Sequence, residues 1–353
     1  MKNLTLEHLA DVCKGCYTGP DEKKNFCVTD ITTDSRQATE GCLFIPIKGA
    51  RVDGHDCIGQ AIDKSAAAVL TEKKLEEKAL PYILVESSLR AIKDIAEYYL
   101  RQLDIQVIGI AGSVGKTSTK EMVAAVLRQR YRVLKTEGNF NNELGLSLTV
   151  LRLREEDEIA ILEMGISDFG EMHRLAKIAR PKTCIITNIG WCHLEKLKTR
   201  DGILKAKSEM FDFLQSNGRI ILNGDDDKLS GIKKVKGIRP CRFGMNPSHD
   251  IWAGELESRG MTKISCQIHT PSGVFRTLIP MPGRHMVYNA LAGTAAGLMY
   301  GLTLKEICRG IESFKTLSGR FHIIEAPRYT VIDDSYNANP ASMKASLQVL
   351  QDG

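Results

Sequence analysis

The sequence predicts an α/β fold in three parts: a mixed α/β segment over 1–103, a central segment over 104–318 with a mostly parallel sheet around a phosphate-binding loop, and the opening of a further domain over 319–353. Three observations carry this expectation. Short apolar runs at 107–110, 159–162, 184–187 and 219–222 are each followed by polar or glycine-containing residues. Such runs suit parallel strands buried on both faces by helices. Helical stretches separate them, and a glycine-rich loop ending in Lys116-Thr117 follows the first run. A chain of 353 residues has room for two or three domains at roughly 100–200 residues each.

In the first segment, 42–47 reads as a buried strand and 66–70 as a helix end running into another. Over 88–103 the residues Leu89, Ile92, Ile95, Ala96 and Leu100 recur at helical spacing. In the last segment, 329–333 predicts a strand and 341–350 a helix, too little for an independent core. Ligands in parallel sheets bind just past the strand ends. That rule directs attention to 112–119, Glu163, 188–193 and 223–227.

Composition narrows the class. Net charge is +5, from 48 basic and 43 acidic residues. This mild excess suits an anionic small substrate and gives no indication of nucleic acid. No apolar run approaches the roughly 18–20 residues of a membrane span, and the N-terminus lacks a signal peptide's apolar core. Of the ten cysteines, only Cys13 and Cys16 form a CxxC, and no second pair accompanies them. They are read as reduced thiols of a cytoplasmic protein.

The loop Gly112-Ser113-Val114-Gly115-Lys116-Thr117-Ser118-Thr119 is the strongest local signal. Glycines let backbone N–H groups turn inward around phosphate oxygens. The following helix adds its positive N-terminal end. Lys116 can reach the β- and γ-phosphates of ATP, and Thr117 can offer its hydroxyl to Mg²⁺. Ile110 stands where the usual phosphate-loop pattern has its first glycine.

This loop variant resembles that of the Mur ligase family, which also includes folylpolyglutamate and cyanophycin synthetases. Lys120-Glu121-Met122 is similar to the branch that attaches D-alanyl-D-alanine. So is Asp333-Asp334-Ser335-Tyr336-Asn337-Ala338-Asn339-Pro340. The resemblance runs from Asp34 to Pro340. It implies an N-terminal domain that binds the UDP-linked precursor, the central ATPase domain, and a Rossmann-like C-terminal domain of which only the start is present. The implied reaction joins D-alanyl-D-alanine to UDP-N-acetylmuramoyl-tripeptide through an acyl phosphate, with ATP and Mg²⁺, by a monomer. Two alternatives stay open: a binding-only fragment, and another amino-acid-adding ligase of the family.

The same resemblance implies site residues. Gly112, Ser113, Gly115, Lys116, Thr117 and Ser118 would hold the ATP phosphates. Glu163, at the end of its strand, would bind Mg²⁺; the alternative, a capping or solvated glutamate, is weakened by its place after an apolar strand. His193, in 187–195, would help hold a second Mg²⁺; read alone, it is an ordinary surface or packed residue. Lys207, in Ala206-Lys207-Ser208-Glu209, matches a lysine that is carbamylated into a metal-directed carbamate; read alone, it is a lysine on a solvated helix face. Asn289 would touch adenine, Arg320 the phosphates, and Asp334 and Tyr336 the ribose and base. Asn141 and Asn142 would face the acceptor and γ-phosphate. Ser35 and Arg36 would grip uridine or diphosphate, with His55, in the stretch 49–55, either a ligand or a turn residue.

Overall fold

The protein is described by a computed structural model over residues 1–49, 51–75, 80–315, 317 and 319–352. Ala50, inside the stretch 49–55, and Ser318, at the expected boundary between the second and third segments, lie outside the described residues. The chain divides into two compact units. The first comprises Met1–Ile105, Thr136–Ala160 and Lys177–Ala179; the second comprises Gln106–Lys135, Ile161–Ala176 and Arg180–Gly353. Residues from 319 onward therefore cluster with the central segment.

The first unit runs α1 (Leu6–Cys13), β1 (Cys16–Thr18), β2 (Ile31–Thr32), β3 (Leu43–Phe44), α2 (Ile58–Asp63), β4 (Ala68–Thr71), β5 (Tyr82–Leu84) and α3 (Ser88–Arg101). Its sheet has the order β1-β5-β4-β3-β2, parallel except for β1. The run at 42–47 yields only the short β3, whose Leu43 and Phe44 are fully buried. Phe44 and Val69 pack with Ile58 and Ala61 of α2.

Helix α3 is capped by Ser87, whose Oγ accepts from Arg90 N. It buries Ile92, Ile95, Ala96, Tyr99 and Leu100. Leu89 shares their stripe but is 43% exposed. It sits in the first turn, where side chains tilt toward the helix start and past the packed face. The helix of 143–151, named α5 below, packs on α3. Tyr99 Oη donates to the Leu153 carbonyl at 2.7 Å, and Lys93 pairs with Glu143 at 2.6 Å.

The chain continues with β6 (Gln106–Ala111), α4 (Lys116–Leu127), β7 (Val133–Lys135), α5 (Glu143–Leu151), β8 (Ile159–Glu163), α6 (Glu171–Ala179), β9 (Thr183–Ile186), α7 (Leu194–Leu197), α8 (Arg200–Ser208), β10 (Arg219–Asn223), β11 (Cys241–Gly244), β12 (Ile251–Arg259), β13 (Lys263–Thr270), β14 (Gly273–Ile279), α9 (Arg284–Met299) and α10 (Leu304–Glu312). It ends in β15 (His322–Ala326), β16 (Tyr329–Asp333) and α11 (Pro340–Asp352). The large sheet has the order β14-β13-β12-β11-β10-β9-β6-β8-β7. Pairing is parallel from β6 through β9, β10 and β11 to β12. The C-terminal ends of β6, β9, β10 and β11 therefore share one edge, where the glycine loop lies. Helices α9 and α10 pack on α4. Gly310 permits this, since a Cβ there would meet Val126 Cα at 2.5 Å.

Two elements depart from the expectation. Beyond β12 the sheet is extended by β13 and β14, each antiparallel to the strand before it, and the apolar runs did not delimit these strands. Ile264, Cys266 and Ile268 are buried at a spacing of two, so a half-buried strand was legible there. The last segment carries a hairpin, β15 with β16, where one strand was expected. The outer strand β14 is covered by α10: Cys308 Sγ donates to the Arg276 carbonyl and Leu278 N to Glu312 Oε1. Among the described residues no helix is long and apolar enough to cross a membrane.

Tyr99→Phe tests the hydrogen bond that ties α3 to Leu153. The substitution removes a buried donor, and we expect it to cost about 1–2 kcal/mol, read as a lower urea midpoint with an unchanged slope.

Candidate active site

The glycine loop is shaped by contacts that only glycine permits. Gly112 has φ +156°, and a Cβ there would fall 1.9 Å from Thr187 Oγ1. Gly115 has φ +79° and precedes α4 in a left-handed conformation. The residues after β9 strap the loop down. Ser113 N donates to the Asn188 carbonyl at 3.1 Å and Val114 N to Asn188 Oδ1 at 3.0 Å. Thr187 Oγ1 and Asn188 Nδ2 both donate to the Val114 carbonyl. Ser113 Oγ accepts from Gly190 N at 3.0 Å and lies 3.2 Å from Cys192 Sγ. The first amides of α4 have no acceptor within the helix, so the loop presents donors and a positive helix end to an anion.

The predicted catalytic groups gather around this loop. Lys116 Nζ donates to the Gly112 carbonyl at 3.0 Å, and Lys207 Nζ donates to the same oxygen at 3.1 Å. Burial lowers the Lys116 pKa, opposed by the negative charge of Glu163. Lys207 is 1% exposed; burial, and then the Lys116 charge, bring its pKa down to about 7. Burial, followed by Lys207 and Lys116, lowers that of His193. Met164 N donates to the Ile110 carbonyl at 2.9 Å, which seats Glu163 beside the start of the loop. Glu163 is 2% exposed and Thr117 3%.

A cavity of about 440 Å³ opens beside the loop. Gly115, Thr117, Ser118, Asn289, Arg320 and Asp334 line it, with Phe243, His285, Tyr288 and Phe321 among its other walls. Asn289 is already engaged: its Oδ1 accepts from Thr119 Oγ1 at 2.8 Å, joining α9 to α4. Asp334 accepts from Phe321 N and Ser346 Oγ. Tyr336 stands outside the lining, with the Arg320 guanidinium 4.1 Å above its ring. The loop sequence gave no hint of the straps at Thr187 and Asn188 beyond their position after a strand. The aromatic walls were not singled out in the sequence, although Tyr288 and Phe321 adjoin Asn289 and Arg320.

The substrate-side candidates belong to the first unit. Ser35 Oγ donates to Gln60 Oε1 at 2.6 Å. Arg36 forks onto Asp34 through Nε and Nη2. Asn142 Oδ1 caps α5 by accepting from Gly145 N at 2.8 Å, and Asn141 precedes it. His55 is buried, with Nδ1 at 2.6 Å from Asp53 and Nε2 accepting from Glu72 N. Both its ring nitrogens thus serve the turn.

The donor set suits magnesium, because the Thr117 hydroxyl and the Glu163 carboxylate are hard oxygen donors. Among the described residues no group of three or more His, Cys, Asp or Glu side chains is placed to hold a metal. A magnesium ion at these two groups would complete its shell with phosphate oxygens and water.

A strapped glycine loop between strand and helix, at the carboxyl edge of a parallel sheet with a lined cavity beside it, defines a phosphate-loop nucleotide-binding α/β protein. Comparison with known proteins carries this further. Residues 110–297 match the Mur ligase middle domain and 28–130 the Mur ligase family catalytic domain. UDP-N-acetylmuramoyl-tripeptide--D-alanyl-D-alanine ligase of Bacillus subtilis is 37% identical over 99% of this chain and 76% of its own length. The crystal structure of MurF from Acinetobacter baumannii superposes with TM-score 0.90 at 33% identity, over 99% of this chain and 77% of that one. MurF ligase from Thermotoga maritima in complex with ADP gives 0.81 at 29%, over 91% and 74%. The chain belongs to the Mur ligase family.

Gly112→Ala would drive a methyl group into Thr187, and Lys116→Ala would remove the loop's cation. We expect both to abolish the rise in Tm that ATP with magnesium produces, a rise of about 2.7 kcal/mol in stability at a hundredfold excess over Kd. An undiminished rise in either variant would exclude this loop as the nucleotide site.

Proposed function

We propose that this chain is an ATP-dependent, ADP-forming ligase of peptidoglycan precursor synthesis, acting as a monomer in the cytoplasm. It joins D-alanyl-D-alanine to UDP-N-acetylmuramoyl-tripeptide. Similarity over 99% of the chain to ligases bearing that activity supports the substrate assignment. The observation that carries the chemistry is the gathering of Lys116, Glu163, His193 and Lys207 at one glycine loop. In function the chain divides into 1–103 for the UDP-linked precursor, 104–318 for ATP, and 319–353 as part of the C-terminal ligase domain.

The reaction needs two anions brought together. The terminal carboxylate of the tripeptide attacks the γ-phosphorus, the bond to the β-phosphate oxygen breaks, and ADP leaves. The dipeptide amine then attacks the acyl carbon, inorganic phosphate departs, and the amine gives up a proton. Gly112, Ser113, Gly115 and Ser118 bind phosphates through the loop. Lys116 and Arg320 place fixed positive charge on the transferring group. Thr117 and Glu163 would hold magnesium, with His193 and carbamylated Lys207 serving a second ion. When bound, magnesium offsets charge between the two anions. Asn289, Asp334 and Tyr336 orient adenosine. Asn141 and Asn142 face the acceptor, and Ser35 and Arg36 the uridine diphosphate.

Two outcomes test the proposal. ADP release should require both UDP-N-acetylmuramoyl-tripeptide and D-alanyl-D-alanine. Release driven equally well by a different amine would favour another member's specificity, and ligand binding without turnover would indicate a binding fragment. The second concerns Lys207, whose pKa of about 7 leaves neutral amine available for CO₂. Below that value the ammonium prevails, so carbamate should grow as pH rises from about 6 to about 8. Labelled bicarbonate should give a carbamate ¹³C resonance following that trend and absent from Lys207→Gln.

A further inference from the structure

Lys120 follows the phosphate loop, and nothing in nucleotide binding or carboxylate activation uses it. It lies one helical turn beyond Lys116 on α4, so the two project along one face. Its side chain is 0% exposed. Nζ stands 3.3 Å from Glu121 Oε1 and 3.7 Å from Glu163 Oε2, with hydrogen-bond geometry to neither. Glu121 Oε1 also accepts from Lys135 Nζ at 2.7 Å. Charges thus alternate from Lys135 through Glu121 and Lys120 to Glu163.

A buried ammonium with its hydrogen bonds unmade is a costly way to fill space. A methionine of similar length would pack there without that penalty. The cation contributes something that volume does not, and its nearest long-range charge is the carboxylate at the end of β8. We propose that Lys120 is a positioning residue for Glu163. Its ammonium faces Oε2 and helps set the orientation in which Glu163 would hold a divalent ion. It also compensates a carboxylate that is 2% exposed while the ion is away. This inference rests on the reading of Glu163 as the magnesium ligand.

The test uses the whole chain with Lys120→Met, Glu163→Gln and the double variant. Unfolding in EDTA gives Tm without metal. Anisotropy of a fluorescent ADP analogue, titrated with magnesium, gives the metal midpoint. Lys120→Met should lower Tm in EDTA, and the drop should shrink by about half or more when residue 163 is already glutamine. Without magnesium it should bind the analogue within about twofold of the parent, yet need about fivefold more magnesium for the half-maximal gain. An equal drop in both backgrounds, or an unmoved midpoint, would make Lys120 a packing residue and overturn the proposal. In that event a lost magnesium response in Glu163→Gln leaves the reading of Glu163 standing. If Glu163→Gln keeps the parental response, that reading fails and the proposal with it. Should Lys120→Met not fold, the double variant decides: recovery of folding upholds the charge coupling between Lys120 and Glu163, and continued failure overturns it.

Discussion

One carbonyl oxygen organises the glycine-loop region. The Gly112 carbonyl accepts from both Lys116 and Lys207, which brings the part-buried ammonium of Lys116 toward the buried one of Lys207 at the mouth of the loop. Burial first, and then the like charge of Lys116, disfavour the ammonium of Lys207, whose pKa falls to about 7. The carbonyl can occupy this point only because residue 112 has no side chain to collide with Thr187. Thr187 and Asn188, in turn, fix the rest of the loop through Val114 and Ser113. Phosphate cradle, lysine pair and strap form one interlocked unit.

Much of this was legible in the sequence, for identifiable reasons. The strands at 106–111, 159–163, 183–186 and 219–223 were visible because buried parallel strands are continuous apolar runs. The loop was visible because phosphate binding constrains neighbouring residues, so its signal is local. The antiparallel extension was overlooked because its apolar residues are interrupted: between buried Ile264, Cys266 and Ile268 stand the polar Ser265 and Gln267, and β12 turns polar after Ala253, so neither strand is a continuous apolar run. Leu89 lay on the right stripe of α3, yet its depth is set by where the helix begins and not by periodicity.

The site shows the same division. Lys116, Glu163 and Lys207 could be named because each sits at a fixed offset from a strand end or a motif. The aromatic walls at Phe243, Tyr288 and Phe321 could not, because they converge from three places distant in the chain. Side-chain engagement was equally hidden. Asn289 carries the expected amide, but its oxygen is occupied by Thr119, so α9 and the phosphate-loop helix are joined before any ligand arrives. Ser35, Arg36 and Asn142 likewise spend polar groups on Gln60, Asp34 and Gly145. Those contacts fix the loops that carry them.

The covering of β14 by α10 bears on solubility. An outer strand with open backbone groups invites a neighbouring molecule to add its own strand, and stacking of that kind propagates. Here the Arg276 carbonyl and the Leu278 amide are taken by Cys308 and Glu312. The helix therefore acts as a stopper against intermolecular sheet growth, and loss of its two polar groups would be felt first in crowded solution, as precipitation.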